Sequence, residues 1–102
     1  MAIQVTGLFK SPTSLLIHES PLLKINAHLS YKGDLMVDLF VTSSDGICRD
    51  TVVYPDLNRE TLTFDVNISD PYDRLINGLE TFLITELQSS NSINSTSTFS
   101  RV

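Results

Sequence analysis

Apolar and polar positions along the chain follow two rhythms. Over most of residues 2–68 hydrophobic side chains recur at every second position, whereas over 69–88 they recur at i, i+3, i+4 and i+7. In the second stretch Tyr72, Leu75, Ile76, Leu79, Phe82, Leu83 and Leu87 make one apolar stripe, so the spacing predicts a helix that buries this stripe against a sheet. Its start is well marked. Asp70 or Ser69 can cap free amide groups, Pro71 suits the first helical position because its missing N–H costs nothing there, and Asp73 favours the positive end of the helix dipole. Gly78 weakens the helix middle by about 1 kcal/mol relative to alanine, which we read as the mark of a close backbone approach to the sheet.

The alternating part divides at turn residues. Residues 2–9 read as a first strand, ended by Ser11-Pro12-Thr13, and a short apolar run from Leu15 to Ile17 follows. Pro21 precedes a strand pair, 22–30 and 34–42, whose register can be derived. A two-residue loop at Lys32-Gly33 would set Leu29 against Met36 and Ala27 against Asp38, splitting the apolar sets between faces. A three-residue loop of Tyr31-Lys32-Gly33 pairs Leu29 with Leu35, Ala27 with Val37 and Ile25 with Leu39, with Gly33 at the left-handed position. The reverse face then carries Lys24, Asn26 and His28 opposite Phe40, Asp38 and Met36, a mixed surface suited to solvent or to a partner.

After the turn Ser43-Ser44-Asp45-Gly46, residues 47–54 and 61–68 read as a second antiparallel pair joined by 55–60. Leu62, Phe64, Val66 and Ile68 share its inner face. The facing strand leaves two parities open: Val52 and Tyr54 inward with Cys48, or Val53 inward with Ile47. Past Gln88 the polar Ser/Asn run 89–98 reads as a loop or linker, and Phe99–Val102 either adds an edge strand, here or on a neighbour, or stays disordered. The expected fold class is α+β: an antiparallel β-sheet or small β-sandwich of about six strands with one C-terminal helix packed against it. Residues 1–88 form a single globular domain in this reading, and 89–102 a polar C-terminal tail.

Composition narrows the function classes. At 102 residues, 41% hydrophobic and 19% charged, the chain has the make-up of one ordinary globular domain. Its net charge of −5 is opposite in sign to a nucleic-acid footprint, so no direct nucleic-acid partner is expected. A single cysteine, Cys48, makes no internal disulfide, and no signal peptide or membrane-spanning run is read in the sequence. Asn67-Ile68-Ser69 and Asn94-Ser95-Thr96 match the glycosylation triplet and, without a secretory route, are read as chance.

The supply of reactive groups is thin. His18 lies beside Glu19 in a Pro-flanked loop, His28 stands on the mixed strand face, and Cys48 starts a strand beside Arg49 and Asp50. Catalysis needs a base within reach of a nucleophile; a cysteine–histidine pair is available on paper, but a free cysteine is most often a small buried hydrophobe and is read so here. The carboxylates have turn, strand-surface or cap roles, and the glycines at 7, 33, 46 and 78 form no phosphate loop. We therefore expect no enzyme, no catalytic, cofactor-binding or metal site, and no cofactor.

A resemblance goes further. Val-Thr-Gly-Leu-Phe-Lys-Ser-Pro at 5–12, His-Glu-Ser-Pro-Leu-Leu-Lys at 18–24, Leu-Ser-Tyr-Lys-Gly at 29–33 and Ser-Asp-Pro-Tyr-Asp-Arg-Leu-Ile at 69–76 resemble a small structural virion protein of crAss-like tailed phages. The resemblance implies a non-enzymatic particle component in many copies, assembled in the host cytoplasm. The leading expectation is an auxiliary capsid (decoration) protein on the capsid lattice; the alternatives are a portal-proximal ring or head-tail connector subunit, and a small glycan- or peptide-binding module. Partners would be the major capsid protein or portal and ring proteins, with no membrane contact, and deletion of 89–102 is expected to weaken that contact.

Overall fold

A computed structural model of the chain describes residues 1–29, 34–58, 60 and 62–102. In chain order the elements are β1 (Ala2–Thr6), β2 (Leu8–Lys10), β3 (Ile17–Glu19), β4 (Leu22–Leu29), β5 (Leu35–Thr42), β6 (Cys48–Leu57), α1 (Pro71–Ser89), α2 (Ser92–Ser95) and β7 (Thr98–Arg101). β6, β5, β4, β1 and β7 lie side by side in that order as one antiparallel sheet, and β2 and β3 pair as a separate small ribbon. The fold is α+β as expected, with a single main sheet rather than a sandwich.

The helix forms where the periodicity places it. Asp70 stands in extended conformation at its N-cap and its carboxylate accepts the Tyr72 N–H at 2.9 Å, while Pro71 takes the first turn together with Asp73. From the apolar stripe Leu79, Leu83 and Leu87 are buried, and Leu75 and Phe82 are half-buried. They share one core with Ile3 and Val5 of β1, Leu23 and Ile25 of β4, the alternating Leu35, Val37, Leu39 and Val41 of β5, and Val52 of β6. One face of the sheet is thus covered by α1, as an amphipathic helix on a half-buried antiparallel sheet requires.

The β4–β5 register is the one derived from the apolar pattern: Ile25 faces Leu39, Ala27 faces Val37 and Leu29 faces Leu35. On the reverse face Lys24, Asn26 and His28 meet Phe40, Asp38 and Met36. The loop expected at Tyr31-Lys32-Gly33 lies outside the described residues. On β6 the parity resolves with Val52 buried, Tyr54 half-buried and Val53 exposed. Cys48 does not join them, because β6 gains one extra residue between Asp50, which faces Val41, and Cys48, which faces Thr42. A bulge of this kind reverses the direction of every side chain beyond it.

Four expectations are corrected. The first strand breaks at Gly7, whose φ of 108° is open to glycine, so β1 stays in the main sheet and β2 turns out to meet β3. Residues 62–68 are not a strand: Leu62 is buried, yet Phe64 is exposed and Val66 is 81% exposed. β6 pairs with β5 instead, and a second register shift between Leu35 and Val37, where β6 contains Pro55, breaks up its free edge. Asp65 supplies turn chemistry in competition with a ladder, accepting the Asn67 N–H on its side chain at 2.9 Å and the Ile68 N–H on its carbonyl at 3.2 Å. Gly78 does mark a close approach, but to this segment rather than to the sheet. A Cβ there would lie 2.9 Å from the Phe64 ring and 3.0 Å from the Thr63 carbonyl oxygen.

The fourth concerns residues 89–98, read as a loop or linker but packed on the body, while of the alternatives for Phe99–Val102 the edge strand on this chain is the one found. β7 pairs with β1 from Ile3–Arg101 to Thr6–Thr98, and Phe99 meets Phe9 edge-to-face at 6.2 Å. Asn94, on the single turn of α2, is fully buried. Its side-chain amide oxygen accepts the Lys10 N–H at 2.7 Å and its amide nitrogen donates to the Lys10 carbonyl at 3.0 Å, so it pairs with β2 as a neighbouring strand would.

Candidate functional site

Two surfaces stand out once the core is accounted for, one at each end of the main sheet. The first is the loop 11–16 that joins β2 to β3. Its backbone is held by its own serines: the buried Ser11 accepts the Thr13 and Ser14 N–H groups on its hydroxyl, donates its N–H to the Leu16 carbonyl at 2.9 Å and accepts the Leu15 N–H on its carbonyl at 3.0 Å. Ser14 accepts the Leu16 N–H at 3.2 Å and gives its own hydroxyl proton to Asp50 of β6. The same Asp50 oxygen lies 3.1 Å from His18 Nε2 of β3, and the other oxygen accepts the Thr51 N–H at 2.8 Å.

Burial by itself would raise the Asp50 pKa, but the hydrogen bonds from Ser14, His18 and Thr51 outweigh it, and the carboxyl is held below its ordinary value. This network pins the β2–β3 ribbon to β6. It also fixes a strained residue, Leu15, in the left-handed region at φ 64°, a conformation that costs a non-glycine residue about 1–2 kcal/mol. The result is a rigid tip on which Leu15, Leu16 and Ile17 are 63%, 56% and 53% exposed. Consecutive exposed aliphatic residues are a liability unless a contact uses them.

The second surface is a cleft of about 320 Å³ between the far end of the β4–β5 pair and the first half of α1. Ala27, Leu29 and Leu35 line it from the sheet and Tyr72, Leu75, Ile76 and Leu79 from the helix, with Met1 and the His28 position of β4 beside them. Leu29 and Tyr72 are more than half exposed. The helix stripe outruns the sheet here: the register predicted to bury Tyr72 leaves it facing the cleft.

The side chains weighed for catalysis do not converge. His28 sits on the exposed face beside Met36, and Cys48 beside Thr42, at opposite ends of β5. The exposed Cys48 thiol is turned to the Asp50 carbonyl at 3.3 Å. His18 and Ser14 both contact Asp50, so the carboxylate lies between hydroxyl and imidazole, and a serine nucleophile would need the imidazole in that position. Among the described residues no group of three or more His, Cys, Asp or Glu is arranged to hold a metal ion. Glu80 is the one buried carboxylate in α1 at 6% exposure, with Oε2 lacking a hydrogen-bond partner among the described residues; burial raises its pKa, opposed by the charges of Arg101 and the N-terminal amine.

The sequence reading missed both surfaces and Asn94. A usable signal was present for the first, three successive aliphatics at 15–17 behind Ser-Pro-Thr-Ser, a segment with turn chemistry and no alternation. For Asn94 there was none, since a buried asparagine and a linker asparagine look alike in a Ser/Asn run. Compared with known proteins, the chain matches no family model, no curated protein and no solved structure.

Proposed function

We propose that the protein is a non-enzymatic structural component of a tailed-phage virion, an auxiliary capsid protein that binds the capsid lattice in many copies. The observation that carries this reading is the pinned tip: a small rigid domain spends hydrogen bonds and backbone strain on holding three aliphatic side chains in solvent. A group of this kind is useful only against another surface. The resemblance of residues 5–12, 18–24, 29–33 and 69–76 to virion proteins of crAss-like phages supplies the setting, and the net charge of −5 favours protein neighbours over packaged DNA.

A portal-proximal ring or connector subunit is the second reading, favoured by the placement of the exposed tip and the apolar cleft at opposite ends of one sheet. Removal of 89–102 does not test either reading, because it takes away β7 and the Asn94 bond to β2 together. The test is to image purified phage particles carrying this chain and to measure its copy number by quantitative mass spectrometry. A symmetric density on the capsid surface supports decoration, and one between portal and tail supports the connector. Absence from particles, or saturable binding to a glycan or peptide array, removes the structural reading.

A further inference from the structure

Among the described residues the tip and the cleft are both left open. Loop 11–16 is tied to Asp50, which faces Val41 and through it Leu23, while the cleft opens at the Leu29–Leu35 pair. Six residues of strand separate these points, about 20 Å. We propose that the protein self-associates head to tail, the Leu15–Leu16–Ile17 tip of one copy seated in the cleft between the β4–β5 pair and α1 of the next. The proposal rests on the assembly role above and names the contact by which copies join.

Fit and charge choose a second copy as the occupant. A cavity of about 150 Å³ admits benzene, so 320 Å³ has room for two aliphatic side chains and the tip offers three in succession. Residues 11–17 bear no charge, and among the described residues the cleft lining includes no carboxylate although the chain has 12 acidic residues, so like-charge repulsion between copies is kept off the contact. Glu19, exposed two residues along β3 from Ile17, brings an acceptor to the tip. The cleft brings a donor, the Tyr72 hydroxyl. The tip is already ordered by Ser11, Ser14 and Asp50, which lowers the entropy lost on docking.

Because tip and cleft lie at opposite ends, the contact is heterologous, and a pair of copies still has one free tip and one free cleft. Such a series extends or closes into a ring. One insertion of this size falls below the roughly 1,000 Å² of a stable pair, so it is weak alone and strengthens when closure or a lattice makes several contacts at once.

Sedimentation velocity of the full chain from micromolar concentrations to about 1 mM tests the proposal. Wild type is expected to pass from monomer to dimer and larger species. Leu15→Glu with Leu16→Glu, and separately Leu29→Glu with Tyr72→Glu, are expected to weaken association about 30-fold. All four positions are exposed, and an unchanged melting temperature verifies folding in each variant. An equal mixture of the two double variants is expected to form dimers and stop there, since one intact tip and one intact cleft remain. Wild type that stays monomeric throughout, association unaffected by either variant, or a mixture without heterodimer overturns the proposal. Protein that is monomeric yet present in purified particles overturns self-association and leaves the assembly role standing, whereas head-to-tail association with absence from particles does the reverse.

Discussion

Where β5 meets β6 at Val41 and Asp50, the sheet is closed by polar groups; where β4 meets β5 at Leu29 and Leu35, it is left open and apolar. At the closed end, Asp50, Ser14, His18, Ser11 and Asn94 satisfy one another or the backbone of the β2–β3 ribbon, with Ser11 and Asn94 buried. At the open end the lining is mostly side chains without hydrogen-bonding groups. The difference separates two ways of building a surface. Hydrogen bonds have direction and therefore hold a loop in one shape, whereas apolar contacts are tolerant of what fills them.

The contrast is broken most strongly at Asn94. Replacing it by leucine in Asn94→Leu strips the Lys10 N–H and carbonyl of both partners, and two unsatisfied part-buried groups cost about 3 kcal/mol. Chemical denaturation is expected to show that loss, with hydrogen exchange rising first in residues 8–19. A loss under about 1 kcal/mol would mean that the polar end is not held by this side chain.

A smaller effect is expected at Asp50. Its folded pKa lies below the ordinary 3.8, so its contribution is fully present above that value and is lost as the pH falls through the folded pKa. Asp50→Asn should lower stability by about 1 kcal/mol at pH 7 and converge with wild type in acid. Melting temperatures of the two proteins that stay equally far apart down to pH 2 would remove Asp50 as the pin. The smallest effect belongs to the open end. Tyr72→Ser and Leu29→Ser, at exposed positions, should change stability by no more than about 0.5 kcal/mol. A loss several times larger would show the cleft to be part of the core.

Legibility in the sequence follows the same division. The helix and the β4–β5 register were readable because each rests on a long apolar period that has one burial solution, and a shift by a single residue would expose the whole set. Residues 61–68 carry an equally clean alternation, yet among the described ones Leu62 alone is buried, because a strand also needs an edge to pair with. β6 offers an edge broken at Pro55, and Asp65 bends the chain. Gly78 was legible as a close approach, while the identity of its neighbour, Phe64, was not.

The sequence by itself determined the amphipathic helix with its Asp70 cap, the pairing of Leu29 with Leu35, and the α+β class, since these depend on local chemistry and on the period of apolar residues. Only the tertiary structure decided that a polar Ser/Asn run would place Asn94 against Lys10, that Asp50 would meet Ser14 and His18 from distant segments, and that three leucine-like side chains would be left in solvent opposite an apolar cleft. Those outcomes hang on individual hydrogen bonds between residues as many as 84 positions apart, and directional bonds of that kind leave no period along a chain.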